Sequence, residues 1–319
     1  MRHTRLGEHG PLVSALGLGC LALATAPDPT ALVHSALDAG VTLFDTADYY
    51  GQGASETTLG KALARRREQA VIATKTGIVH RPAGPPTVDA HPTAIRTACE
   101  QSLRRLGTDH LDLYLLARID PRIPVEESVG ALADLVHAGK TRHIGLCEAA
   151  PATLRRAHTV HPLTVVQSEY ALWERHVENG ILTTCTDLGA AFTACRPLGL
   201  GLLTDTDPEP ATLPPDDWRH RDPRFTPAHL PHNRTLAHRL RRLAAARSLT
   251  AAQLALAWLT AQGTVPIVGT RRIEHLEENI TAADIHLTEE EHHHIATHFP
   301  PGSAHGPRYP PPLLRMIDT

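Results

Sequence analysis

Three residues able to move a proton stand where apolar runs of the sequence end. Asp45 and Tyr50 lie in Phe44-Asp45-Thr46-Ala47-Asp48-Tyr49-Tyr50-Gly51, and Lys75 closes Ile72-Ala73-Thr74-Lys75. A phenol has a pKa of about 10, too high for free proton exchange at neutral pH. A lysine cation beside it favours the phenolate and lowers that pKa, while an aspartate keeps the lysine charged and in place. Together the three are expected to form a tuned general acid for a carbonyl oxygen. Taken singly they would mean less: Asp45 would cap a turn, Tyr50 would pack, and Lys75 would be a solvated strand end.

Such a trio needs neighbouring strands to carry it. From about Leu16 onward, short apolar runs alternate eight times with longer helix-like segments. The strand candidates are Leu16–Gly19, Thr42–Asp45, Val71–Lys75, Leu111–Leu116, His143–Cys147, Val165–Ser168, Ala190–Ala194 and Val265–Gly269. Amphipathic stretches such as Pro92–Leu106, Val125–Ala138 and Ala251–Ala261 lie between them. Strands alternating with helices give βαβ units and a parallel sheet. Eight units in a chain of this length fit a closed (β/α)8 TIM barrel, whose chemistry sits at the C-terminal strand ends. Arg2–Leu6 and Leu12–Ala15, flanking Gly7-Glu8-His9-Gly10-Pro11, read as an N-terminal β-hairpin. No boundary is visible, so residues 1–319 are read as one domain.

Two segments have no helical or strand period. Thr204 to Pro231 carries seven prolines and separates the seventh strand from the next helix; long loops of this kind are usually functional lids or disordered. The proline-rich tail after Phe299 is expected to be non-helical and to lie across a barrel face.

Composition excludes other classes. The chain of 319 residues is 42% hydrophobic, enough for a buried core, and holds no apolar run of membrane-spanning length. Its start, MRHTRLGEHGPLVS, is polar and has no signal-peptide core. Five cysteines, odd in number and without a close pair, argue against disulfides or structural zinc and for a reducing cytoplasm. A net charge of −3 with scattered basic residues argues against a nucleic-acid surface. Of the 22 histidines, His294 and His298 have the i,i+4 spacing of one helix face. With no His-Glu-x-x-His pattern, Glu290 to His298 reads as a solvated helix face rather than a metal site. The partner implied is a small-molecule substrate, and the chain is a monomer or a homo-oligomer. A composition rich in alanine, arginine, histidine and proline points to a GC-rich bacterial genome and a secondary-metabolic substrate.

The motifs, in order along nearly the whole chain, resemble those of the aldo-keto reductases. Phe44 to Gly51 with Ser55-Glu56 is similar to that family's strand-two signature, and Asp109-His110-Leu111-Asp112-Leu113-Tyr114 to its strand-four block. Gly139-Lys140 through Ile144-Gly145-Leu146, Gln167-Ser168-Glu169-Tyr170 and Pro197-Leu198-Gly199 follow. Pro266-Ile267-Val268-Gly269-Thr270-Arg271-Arg272, then Leu276-Glu277-Glu278-Asn279, completes the set. The resemblance implies NADP(H) extended across the barrel mouth without a Rossmann fingerprint. It places Asp45, Tyr50 and Lys75 in three of four catalytic positions. Arg271 or Arg272 falls at the adenosine 2′-phosphate, Glu278 and Asn279 at the adenine, and Gln167 at the nicotinamide amide. Gly269, Thr270, Leu198 and Gly199 line the rest of the cofactor site.

The same resemblance marks departures. The fourth catalytic position, usually histidine, is Ala117 in Leu115-Leu116-Ala117-Arg118-Ile119-Asp120. Losing one preorganised donor typically costs ~10² to 10³ in rate. Cys147, followed by Glu148, stands where a serine meets the amide, and Cys195-Arg196 where Tyr-Ser precedes Pro-Leu-Gly. The leading expectation is NADPH-dependent reduction of a carbonyl. The alternatives are a repurposed lyase, isomerase or cyclase using Tyr50 and Lys75 for proton transfer only, and a catalytically weak NADP-binding protein. Cys147 and Cys195 are expected to be buried and unreactive rather than catalytic thiols.

Overall fold

Parallel strands covered on both faces should read as continuous apolar runs rather than alternating ones. Leu111-Asp112-Leu113-Tyr114-Leu115-Leu116 shows this except at Asp112, which pairs with Arg67 at 2.7 Å, and all six residues are buried. In the computed structural model, which describes residues 1–81, 84–215 and 217–318, the chain opens with a hairpin of β1 (His3–Arg5) and β2 (Leu12–Ser14). The barrel strands begin with β3 (Gly17–Gly19), β4 (Leu43–Asp45) and β5 (Val71–Thr76). A second small hairpin follows, β6 (Ile78–Val79) with β7 (Thr87–Val88). The barrel resumes with β8 (Leu111–Leu116), β9 (Thr141–Cys147), β10 (Val165–Glu169), β11 (Ala191–Cys195) and β12 (Val265–Gly269). These eight strands close in the order β10-β11-β12-β3-β4-β5-β8-β9, all pairs parallel.

Helices α1 (Pro29–Asp38), α2 (Ala54–Leu63), α3 (Pro92–Leu106), α4 (Val125–His137), α5 (Pro151–Val160) and α6 (Ile181–Asp187) follow the first six barrel strands. Then come α7 (Leu230–Ala245), α8 (Ala251–Ala261), α9 (Ile273–Thr281), α10 (Glu289–Thr297) and α11 (Pro311–Leu314). The sequence sets their ends. Pro92 opens the first turn of α3, and Gly107 (φ 66°) ends it with its N–H on the Leu103 carbonyl. A reciprocal Thr250–Gln253 capping box starts α8.

Packing leaves one end of the barrel for chemistry. Leu43, Leu113, Val165, Val265 and Ile267 fill the interior, and Leu6 and Val13 of the first hairpin join the same cluster. The hairpin therefore plugs the N-terminal end, and the charged strand ends lie opposite.

Three expectations need correction. The tail does form a helical turn, α11, because Pro311 and Pro312 occupy positions where a missing N–H costs nothing. The Thr204–Pro231 segment is not wholly irregular: 3-10 turns form at Pro210–Thr212, Trp218–His220 and Pro223–Phe225, and α7 begins before Pro231. Residue 216 of that segment lies outside the described residues. Strand β9 starts at Thr141 rather than His143, and β11 extends to Cys195, so this cysteine ends the strand instead of following it.

Candidate active site

Asp45 ends β4 opposite Ala73, and Lys75 stands two residues further along β5, opposite Leu115 of β8. This stagger brings the Lys75 ammonium to 2.5 Å from Asp45 Oδ1, and it also donates to the Thr46 carbonyl at 2.8 Å. Both residues are buried, at 2% and 3% exposure, so Lys75 is not the solvated strand end it would be alone. Burial alone would lower the Lys75 pKa, but Asp45, Tyr49 and Cys147 together outweigh it and raise it. On the other side Gln167 Nε2 donates to Asp45 Oδ2 at 2.9 Å and to Thr193 Oγ1 at 3.2 Å. Each oxygen of Asp45 is thereby held by a different strand.

Tyr50 follows β4 in a tight turn where Gly51 and Gln52 adopt positive φ. Its ring centroid lies 5.2 Å from the Lys75 ammonium, and the Tyr49 ring meets it edge-on at 5.0 Å. The three predicted residues thus converge. The expected lowering of the phenol pKa does not follow: burial, then the negative charge of Asp45 and the Cys195 and Cys147 thiols, pushes Tyr50 well above the ordinary range. The reason is geometric. Asp45 is in contact with Lys75 and cancels its charge at the distance of the ring.

Ala117 follows β8, fully buried, its N–H on the Thr76 carbonyl at 2.8 Å. Cys147 ends β9 and is buried, which pushes its thiol up to about 12. Cys195 is half-buried at the end of β11, its pKa likewise raised by burial. Neither thiol is activated. Gly199 (φ 55°) lies so close to Trp173 that an added Cβ would meet the indole at 2.3 Å. Leu198 packs beside it against the core.

The remainder of the mouth is an ion-pair network that residue types alone did not reveal. Glu148 receives Arg308 Nη1 at 2.8 Å and the Tyr309 hydroxyl at 3.0 Å, both from the tail. Burial would raise its carboxyl, but Arg308, Arg118 and His176 pull it down to about 2. Arg196 reaches Asp222 at 3.3 Å and the Arg308 carbonyl at 3.0 Å, with its guanidinium 4.4 Å from the Tyr309 ring centroid. Arg224 pairs with Glu169 at 2.5 Å and with Glu174. Glu148 and Arg196 both have positive φ, 50° and 52°. Such backbone strain costs of order 1–3 kcal/mol per residue and tends to collect at functional sites. The tail therefore does cross a barrel face, the one bearing the strand ends. A signal for it existed in Gly306-Pro307-Arg308-Tyr309-Pro310, an aromatic and a cation held between prolines.

Arg271, Arg272, Glu278 and Asn279 lie apart from this network. Arg272 is the N-cap of α9, its N–H on Thr270 Oγ1 at 3.1 Å, and both arginines are exposed. Gly269 ends β12 with no side chain, and a Cβ there would have only Gly19 O nearby, at 3.4 Å. Asn279 is buried on α9 beside the half-buried Glu278. A glycine opening, two guanidiniums and the free N–H groups of a helix start fit a phosphate-bearing cofactor. Elsewhere, His294 and His298 do share a helix face, with ring centroids 4.9 Å apart. Among the described residues no helix is long and apolar enough to cross a membrane, and no group of three or more acidic, cysteine or histidine residues is placed to hold a metal.

Comparison with known proteins agrees with the barrel fold. The model of the Aldo/keto reductase family matches residues 15–299. Probable aldo-keto reductase 1 of Glycine max is 40% identical over 315 residues, 96% of this chain and 91% of the relative. A glycerol dehydrogenase of Gluconobacter oxydans superposes with a TM-score of 0.84 at 29% identity, covering 93% of this chain and 94% of that one. An aldo-keto reductase of Bacillus halodurans, in its holo form, gives 0.78 at 26% identity, covering 94% and 97%. By its family match across the barrel, the chain belongs to the aldo/keto reductases and is an NADP(H)-dependent oxidoreductase.

Proposed function

We propose that this protein reduces the carbonyl group of a small molecule, with Tyr50 as proton donor and Ala117 in the place of the family's catalytic histidine. The observation carrying the reading is the buried Asp45–Lys75 pair beneath the Tyr50 ring at the open end of the barrel. When bound, NADPH supplies the hydride.

The chain's own residues do the rest. An alkoxide forming at the carbonyl oxygen is far more basic than a phenol, so a neutral Tyr50 of raised pKa still donates downhill. Lys75, its charge taken up by Asp45, lies 5.2 Å from the ring centroid and positions the phenol. Asp45 fixes the ammonium, and Gln167 fixes Asp45. Gln167 uses its amide nitrogen inward, so its oxygen remains to accept from a nicotinamide carboxamide. Arg271 or Arg272 would hold the 2′-phosphate, and Glu278 and Asn279 the adenine. Leu198, Gly199, Gly269 and Thr270 border the path between, with Cys147, Cys195 and Arg196 at the nicotinamide end. Five free thiols suit the reducing cytoplasm as its place of work.

The test is calorimetric titration with NADPH and NADH, followed by NADPH consumption across a panel of aldehydes and ketones. NADPH binding with turnover of some member of the panel is expected. Binding without any hydride transfer would overturn the reading.

A further inference from the structure

Among the described residues, Lys75, Arg118, Arg196, Arg224 and Arg308 stand at the barrel mouth, and four of these have anionic partners. Lys75 meets Asp45, Arg196 meets Asp222, Arg224 takes Glu169 and Glu174, and Arg308 holds Glu148. The fifth, Arg118, is only 7% exposed and forms no ion pair among the described residues. Its one hydrogen bond there runs from Nη1 to the Ala117 carbonyl at 2.6 Å, and its Nε is buried without a partner. Glu148 also faces Arg118, but its oxygens already accept from Arg308 and Tyr309. With Glu148 shared between Arg308 and Arg118, the second buried cation is only partly compensated, which is expensive. A bound anion would relieve that cost.

Position and shape agree. Arg118 comes directly after Ala117, whose N–H holds the carbonyl of Thr76, the residue following Lys75. Lys75 lies near the end of β5 and Ala117–Arg118 follow β8, its neighbour in the barrel, so the two cations leave adjacent strand ends at the same mouth. The Tyr309 ring covers a face of the guanidinium at 5.3 Å, which leaves its edge. That Nε–Nη2 edge forks onto a carboxylate elsewhere in this protein, as Arg156 does on Glu126 and Arg219 on Asp217.

We propose that Arg118 anchors a carboxylate on the substrate, so that the enzyme selects oxo-acids over neutral carbonyl compounds. The carbonyl half of this statement rests on the reductase reading; the anion site does not. The experiment compares 4-carboxybenzaldehyde with benzaldehyde as substrates of the wild type, Arg118→Gln and Arg118→Lys. Loss of a charge-assisted fork should raise KM for the carboxylated aldehyde about 10- to 100-fold in Arg118→Gln, with benzaldehyde changed by no more than about twofold and partial rescue by lysine. Equal loss on both substrates would place Arg118 at the reacting oxygen and overturn the proposal, as would no change on either. If Arg118→Gln does not fold, the wild type decides: no preference for the carboxylated aldehyde refutes the anchor. If the wild type reduces neither, the reductase reading stands or falls on the wider panel, and titration with benzoate tests the anion site alone. Benzoate binding that is lost in Arg118→Gln supports the site; absent or unchanged binding overturns it.

Discussion

The two ends of the candidate site are built in opposite ways. Around Asp45, Lys75, Glu148 and Glu169 the charges are buried and nearly all are paired inside the protein. At the start of α9, Arg271 and Arg272 stand in solvent, with one loose contact from Arg272 to Glu274 at 3.3 Å. Buried pairs fix geometry, and removing one partner strands the other in a medium that cannot solvate it. Exposed guanidiniums contribute little to the fold and remain available to a ligand. A substitution should therefore cost structure and chemistry together at the first end, and binding alone at the second.

The sharpest way to break this contrast is at Lys75. Lys75→Met leaves Asp45 buried without its cation and should lower stability to urea by about 3–5 kcal/mol. Tyr50→Phe separates chemistry from structure, because the hydroxyl is lost while the ring still packs. Turnover should fall by at least ~10² with an almost unchanged unfolding midpoint. Normal turnover by Tyr50→Phe would remove Tyr50 from the mechanism. A Lys75→Met protein as stable as the parent would show that the pair is not a structural element.

Glu148 tests the mouth through pH. Its folded pKa of about 2 lies below the unfolded value near 4.3, so the stabilisation is complete above the latter and disappears as pH falls toward the former. The contribution is about 3 kcal/mol. The stability gap between the wild type and Glu148→Gln should narrow as urea titrations move from neutral pH down through this window. A gap independent of pH would mean that Arg308 does not hold the carboxylate in solution.

The barrel and the catalytic trio were legible because local rules govern them. A buried parallel strand must be apolar on both faces, as Leu113–Leu116 is, and a charged residue ending such a run has few purposes. Strand limits were less clear: buried Thr141 precedes exposed Arg142, which hides the first turn of β9 from a hydrophobicity pattern. The tail was out of reach for a different reason. Tyr309 is placed by Glu148, Arg196 and Arg118, partners from three strand ends that only the closed barrel gathers. The phenol pKa differs from expectation because burial raises it most, and the aspartate that holds Lys75 adds its own negative charge near the ring.

At the exposed end, replacing Arg271 and Arg272 together by alanine should erase a preference for NADPH over NADH, a change of roughly 10- to 100-fold in relative Kd. Stability should move by no more than about 0.5 kcal/mol, as for ordinary surface substitutions. The preference of the parent should weaken with added salt, since solvent screens these charges. Equal affinity of the unmutated protein for both cofactors would assign the α9 arginines another task.

The smallest expected effect decides most about the reaction. Ala117 is buried beside Thr76 and directly precedes Arg118, so a side chain there projects from the strand end that borders the Lys75 pair. If hydride transfer operates, Ala117→His supplies a second hydrogen-bond donor to the developing alkoxide. NADPH-dependent reduction of simple aldehydes should then rise about tenfold, equivalent to about 1.4 kcal/mol of transition-state stabilisation. That gain is modest for one charge-aligned hydrogen bond. If the barrel instead performs proton transfer alone, the imidazole fills space that the native substrate needs and abolishes its conversion without creating reductase activity. Tight NADPH binding with no turnover by either protein would identify a cofactor-binding protein instead. Steady-state rates of parent and variant on one aldehyde series separate the three outcomes, and a rise confined to kcat would place the new donor at the reacting oxygen.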